Sequence, residues 1–237
     1  MAKEIWIIRH SHRRDYEPGW KKHPRYKENK LDTPLSEYGF KLAKKGATEL
    51  LKKSKALNER KIKHIYCSPF TRCIQSAIQL IEVVKKKLNY QLKLIIVYDL
   101  GESGWFPDYH DFEFNGNKLN INKVFIDKKM KPAGLKKRYK NYITKIIGSN
   151  IKDTTYDKEL QRMANSLVNI SNNEKKSFII VGHNDLIRLA YKYFNQNRKV
   201  KKEPEQTKGG SEFVNTIMGF IEKNHKYKMI YKPNHKF

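Results

Sequence analysis

Ile5, Trp6, Ile7 and Ile8 form an unbroken apolar run rich in β-branched residues, and the run stops abruptly at Arg9-His10. Apolar residues without polar alternation suit a strand covered on both faces of a sheet. Three further runs of strand length recur at 64–68, at 92–100 around Leu94-Ile95-Ile96-Val97, and at 177–183. Between them the apolar spacing changes to three and four. Phe40, Ala43, Ala47 and Leu50 follow a Ser36 N-cap, Ile74, Ala77, Ile78, Ile81, Val84 and Leu88 mark a helix over 71–88, and Leu160, Met163, Ala164, Leu167 and Val168 mark another over 155–173. A further helix spans 184–194, with Leu186, Ile187, Ala190 and Tyr191 on one face. The segments 213–221 and 226–231, joined through Lys223-Asn224-His225, read as an antiparallel hairpin.

Strands alternating with helices predict an α/β protein, a three-layer α/β/α sandwich on a mixed, mainly parallel central sheet. The 237 residues are enough for one sizeable domain, taken here as 1–237. Residues 103–150 mix aromatics, Asn/Gly turns and Lys runs without a clear period, and are expected to form a cap or insertion over the strand ends. The loop 11–33 carries Pro18-Gly19, Pro24, Trp20 and Tyr26 and is long for a connector, a length associated with functional loops.

No apolar run reaches the roughly 18–20 residues that span a bilayer, and the first residues lead straight into a strand, so a cytoplasmic protein without membrane insertion is expected. Cys67 and Cys73 lack partners at metal-ligand spacing and are expected to be free thiols. The formal charge of +26 would attract phosphoesters, nucleic acid or other polyanions. Most of the excess is Lys scattered along the chain, a pattern that compositional bias also produces, so nucleic acid is not favoured as the partner. Arg is sparse, which makes each Arg more informative as a phosphate ligand.

The chemistry-bearing residues fall at the strand ends, where open α/β sheets bind ligands. Arg9 and His10 follow the first strand, Arg72 opens the helix after the second, Glu102 follows the third, and His183 ends the fourth. Two imidazoles, guanidiniums and a carboxylate in one crevice would form a phosphate pocket with a nucleophile and an acid. His10 and His12 as a metal pair lack a supporting carboxylate or Cys at ligand spacing, so neither a metal nor a cofactor is expected.

The stretches IIRHSHRRD, SPFTRC at 68–73, LGES at 100–103 and VGHND at 181–185 resemble the histidine phosphatase superfamily, whose fold is phosphoglycerate mutase-like. Arg13, Asp15, Trp20, the DTPLSEYG stretch 32–39 and residues 68–77 are most similar to the phosphatase domains of ubiquitin-associated and SH3 domain-containing proteins. The resemblance implies a phosphohistidine formed on His10, with Arg9, Arg13 and Arg72 binding phosphate. It implies that His183, protonated, adds a donor, and that Glu102, with a raised pKa, acts as general acid/base. The substrate would be a phosphotyrosyl protein or a small phosphomonoester, and the relatives imply a homodimer. Ser11 stands where the family usually has Gly, which would strain the backbone if that position needs positive φ. His12 replaces a common acidic residue. The mutase-type continuation after the Arg-His pair is absent, favouring a phosphatase over phosphoglycerate mutase-type transfer. A degenerate fold that binds polyanions is the alternative from another class.

Overall fold

The structure, a computed structural model, describes residues 2–23, 26, 32–102, 143–147, 156–194, 216–224 and 226–231. Its strands are β1 (Lys3–Arg9), β2 (His64–Cys67), β3 (Lys93–Val97), β4 (Ile143–Ile147), β5 (Phe178–Gly182), β6 (Ile217–Lys223) and β7 (Lys226–Tyr231). They form one seven-stranded sheet in the order β4-β3-β2-β5-β1-β6-β7. The pairs from β4 through β1 are parallel, and β6 and β7 add an antiparallel edge. This is the mixed, mainly parallel α/β sheet that the apolar pattern predicts.

Strand residues alternate between two cores because successive side chains point to opposite faces. Trp6, Ile8, Ile65, Cys67, Leu94, Ile96, Ile179 and Val181 pack on one face against helices α1 (Glu37–Lys53), α2 (Lys55–Asn58) and α3 (Thr71–Leu88). Ile5, Ile7, Ile95, Val97, Phe178 and Ile180 pack on the other against α4 (Tyr156–Asn173) and α5 (Asn184–Phe194). Each of these buried side chains contributes roughly 1.5–3 kcal/mol relative to exposure. Inside the first core the Glu4 carboxylate is satisfied by Trp6 Nε1, Ser54 Oγ and the Ala56 amide at 2.9, 2.6 and 3.0 Å. That carboxylate is structural.

Differences from expectation have local causes. β3 ends at Val97, and a 3-10 helix, Tyr98–Leu100, separates Glu102 from the strand. Part of the segment expected to form a cap, Ile143–Ile147, instead extends the sheet as its edge strand beside β3. Residues 103–142 and 148–150 lie outside the described residues, as do 24–25 and 27–31 of the long loop. β6 begins at Ile217, and residues 213–215 of the expected hairpin lie outside the described residues. No helix of the described residues is long and apolar enough to cross a membrane.

Candidate functional site

β1, β5 and β2 are adjacent and parallel, so the residues that follow them emerge side by side at one edge of the sheet. The His10 amide donates to Gly182 O at 2.9 Å and the Ser68 amide to Val181 O at 3.0 Å, which carries the pairing past the strand ends. His10 and His183 are thereby held with ring centroids 5.4 Å apart. Nitrogens of both rings and a carboxylate oxygen of Glu102 lie within 4.8 Å of one another. Arg72, fully buried in the first turn of α3, places Nη2 on Glu102 Oε2 and 3.5 Å from His183 Nδ1. Arg9, Arg72, His10, His183 and Glu102 thus meet in one crevice.

The proton on His10 is fixed by its neighbour. Nδ1 lies 2.8 Å from the carbonyl oxygen of Ser11, which can only accept, so Nδ1 carries the hydrogen. Nε2 is then the basic nitrogen, and it is buried without a hydrogen-bond partner. Burial, reinforced by Arg72, Arg9 and His183, holds His10 well below the ordinary imidazole range, against a weaker pull from Glu102. The ring is neutral with a free lone pair.

His183 is also held neutral by these surroundings. Burial comes first, followed by Arg72, Arg13, Arg9 and Arg162, and together they press its pKa well below 6.5. The expectation of a protonated His183 does not hold among its protein neighbours; a bound dianion would have to supply the compensating charge. Glu102 departs from expectation as well. Burial pushes its pKa up, yet Arg72, Arg13, His10 and Arg9 outweigh burial and hold it below 4.5, so it is ionised rather than raised. Burial lowers Arg9, whose Nε has no hydrogen-bond partner.

Arg13 sits on the rim. Its guanidinium forks onto Asp15 at 2.9 and 2.8 Å and stacks 4.6 Å over the Tyr16 ring, while its charge still reaches Glu102 and His183. The motif residues around it build the loop. Asp32 accepts from the Thr71 amide at the start of α3, Gln75 Oε1 accepts from the Leu35 amide, and Ser76 Oγ accepts from the Ser11 amide. Gly39 is required by close approach, because a Cβ there would meet His12 O at 2.1 Å. Ser11 is not among the residues with positive φ, so the feared strain is absent.

Sequence reasoning did not assign roles to Ser68, Cys73 and Arg162. Ser68 Oγ lies 2.7 Å from His183 Nε2, and Cys73 Sγ lies 3.5 Å from the same nitrogen. Phe70 packs edge-on against His183 at 4.7 Å and beneath Arg72 at 4.4 Å. Arg162, on α4, donates to Asp99 O at 2.6 Å. Ser68 and Cys73 stand inside the SPFTRC motif, and their position between β2 and α3 was the available signal. Both cysteines are free and buried, with the Cys73 thiol pushed up chiefly by burial.

His10, Glu102 and His183 are metal-ligating residue types, but Glu102 is already neutralised by Arg72, and Arg9 and Arg13 add positive charge. Such a field repels a dication and attracts an oxyanion. An oxyanion crevice lined by a neutral imidazole, at the carboxyl edge of a mainly parallel sheet, is the setting in which known proteins become informative. Residues 5–103 match the histidine phosphatase superfamily (branch 1). An uncharacterized phosphoglycerate mutase family protein of Acanthamoeba polyphaga mimivirus is 30% identical over 157 residues, 63% of this chain and 70% of that protein. The chain belongs to the histidine phosphatase superfamily. Among solved structures, the ecdysone phosphate phosphatase of Bombix mori, in complex with tungstate, is 13% identical with a TM-score of 0.57, covering 99% of this chain and 95% of that one. The phosphoserine phosphatase of Entamoeba histolytica, in complex with 3-phosphoglyceric acid, is 15% identical with a TM-score of 0.52, covering 99% and 98%. At these identities the likeness is one of fold.

Proposed function

We propose that the protein is a metal-independent phosphomonoesterase that works through a phosphohistidine on His10. The observation that carries this reading is His10 itself, with Nδ1 tied to Ser11 O and a bare, buried Nε2 among guanidiniums. A neutral imidazole can approach a phosphate dianion that would repel an anionic nucleophile. Arg9, Arg13 and Arg72 neutralise the phosphoryl oxygens, each by on the order of 4 kcal/mol at about 4 Å and an effective dielectric of 20, before desolvation.

Substrate binding redistributes the charges. The phosphoryl group competes with Glu102 for Arg72, and a carboxylate set beside a dianion without its guanidinium takes up a proton more readily. His10 Nε2 then forms a bond to phosphorus as the ester P–O bond breaks, and the leaving oxygen takes its electron pair and the Glu102 proton. In the second half, Glu102 accepts a proton from water, the oxygen attacks phosphorus, and the P–N bond returns its electrons to Nε2. Inorganic phosphate leaves. His183 donates to the bound phosphate once the dianion offsets the arginines that hold it neutral.

For the substrate, the likeness to the ecdysone phosphate phosphatase and the phosphoserine phosphatase supports a small phosphomonoester. The motif resemblance to ubiquitin-associated and SH3 domain-containing phosphatases keeps phosphotyrosyl proteins beside it. The test is hydrolysis of p-nitrophenyl phosphate with chelator present, by wild type and His10→Ala, together with alkaline denaturing quench after exposure to labelled substrate and a subsequent acid challenge of the trapped label. Turnover and an acid-labile label in wild type only are expected. Full activity in His10→Ala, or activity abolished by chelator, overturns the proposal.

A further inference from the structure

The edge of the sheet opposite the crevice carries a feature that the phosphatase reading does not use. β2 and β3 start there, α1 and α3 end there, and each contributes lysines. Lys63, Lys85, Lys86, Lys87 and Lys93 are exposed and have no counter-ion among the described residues. Their proximity is set by bonds between separate segments. The Lys93 amide donates to Lys63 O at 2.9 Å, and Arg60 Nη2 donates to Leu88 O at 2.9 Å, tying the turn before β2 to the end of α3. Lys93 is in register with His64, so the Lys63 and Lys93 backbones adjoin while their side chains leave this end of the sheet on opposite faces.

Lysines in the last turn of α3 complement the helix dipole, but Lys63 and Lys93 precede or open strands and gain nothing from it. The acids at this edge are already engaged. Glu59 pairs with Lys55 and Lys61, Glu174 with His64 and Tyr66, Glu222 with Lys3, and Glu4 is buried. The result is a ridge of five lysines from three chain segments without a counter-ion among the described residues. Among the described residues it also carries no exposed large apolar side chain that could enter a bilayer. The large apolar residues exposed among the described ones, Tyr38, Ile147 and Ile230, stand at or near the crevice ends of their elements. Lysine heads on flexible stems suit a chain of phosphodiesters read without base contacts.

We infer that this ridge binds the sugar-phosphate backbone of nucleic acid without sequence preference, at a surface separate from the phosphatase crevice. The experiment is fluorescence anisotropy of the full chain with labelled oligonucleotides of two unrelated sequences over a salt series. The variants are Lys63→Glu/Lys87→Glu/Lys93→Glu and, with the same change in net charge, Lys41→Glu/Lys44→Glu/Lys45→Glu on the exposed side of α1. Wild type should bind both sequences alike, with log K falling by about 0.9 per log unit of salt for each phosphate engaged. The ridge variant should lose at least about tenfold in affinity and the α1 variant less than about threefold. His10→Ala should bind as wild type does, which separates this inference from the catalytic one. Absence of binding by wild type, equal losses in the two charge variants, or binding to phosphatidylserine vesicles in preference to oligonucleotide would each overturn it.

Discussion

Arg72 holds Glu102 as an anion: guanidinium Nη2 meets carboxylate Oε2 inside the crevice, and the pair lies beside both His10 and His183. The residue proposed to carry the proton is therefore locked by a residue proposed to hold phosphate. An incoming phosphate monoester would break this lock and use both partners at once.

Glu102→Gln separates the two functions. The amide cannot hold a proton for the leaving group, and Arg72 loses its carboxylate competitor. Turnover of alkyl phosphates should fall by about 10²- to 10⁴-fold, the range general acids supply, while p-nitrophenyl phosphate, whose leaving group needs little help, should be hit much less in the phosphorylation step. Orthophosphate or tungstate should bind more tightly to the variant. Steady-state kinetics with both substrate types and calorimetric titration of the oxyanion check this; equal losses with both leaving groups would remove Glu102 from the acid role.

The two buried histidines make stability fall on acidification. Both native pKa values lie well below 6.5 through burial and neighbouring arginines. Above that pH both folded and unfolded chains hold the rings neutral; below it the unfolded chain binds protons that the native crevice refuses. Stability is therefore present above the ordinary imidazole pKa and is lost as pH falls towards the lowered native values, by up to about 1.4 kcal/mol per pH unit for each ring. Glu102, also lowered, adds its loss only below 4.5. Denaturant unfolding of wild type and His183→Asn between neutral and mildly acidic pH should give a shallower decline for the variant, and saturating phosphate should flatten the wild-type curve.

Much of this architecture was legible in the amino-acid pattern because it rests on local regularities. The stripe from Ile74 to Leu88, bounded by Pro69 before it and Asn89 in the left-handed region after it, marks α3 to the residue. The strand ends announce His10 and His183 because an apolar run can only stop where the chain leaves the core. What escaped notice depends on three-dimensional placement. Ile143–Ile147 is a five-residue edge strand whose apolar run is interrupted by Thr144 and Lys145, too short to stand out within a Lys-rich stretch. The charge states of His183 and Glu102 follow from arginines brought in from β1, its following loop and α3, and no spacing along the chain reveals which charge prevails.

Ser11 illustrates the same limit. Its φ is not positive, so the Gly usual at this place confers no conformational advantage here, and the Ser11 carbonyl still orients His10. Ser11→Gly should leave kcat/KM within about threefold and lower stability by roughly 0.4–1 kcal/mol through the greater freedom of the unfolded chain. Activity raised tenfold or more would show that the hydroxymethyl group obstructs the crevice.

Gly39 has the opposite expectation. Its missing Cβ is replaced by the backbone carbonyl of His12, 2.1 Å from where the carbon would sit, and backbone cannot swing aside as a side-chain tip can. Gly39→Ala should cost about 1–3 kcal/mol by overpacking, equivalent to roughly 2–4 °C in Tm per kcal/mol for a chain of this size. Activity should fall with it, because the loop after β1 also carries Arg13. Differential scanning calorimetry and an assay well below the Tm check both; an unchanged Tm would mean that α1 shifts without cost.

Ser68 is the least conspicuous member of the crevice and gives the last test. Its hydroxyl lies 2.7 Å from His183 Nε2, and the Phe70 amide donates to the same oxygen at 3.4 Å, so the hydroxyl ties the imidazole to the start of α3. Ser68→Ala would leave Nε2 buried beside only the weaker Cys73 thiol. An unsatisfied buried nitrogen costs about 1–3 kcal/mol, and a tilted ring would be poorly placed towards the phosphoryl group. A kcat reduction of about tenfold with little change in KM is expected, together with a shifted pH profile and recovery in Ser68→Thr, which restores the hydroxyl. A variant with lowered Tm but wild-type kcat and pH profile would reduce Ser68 to a packing residue.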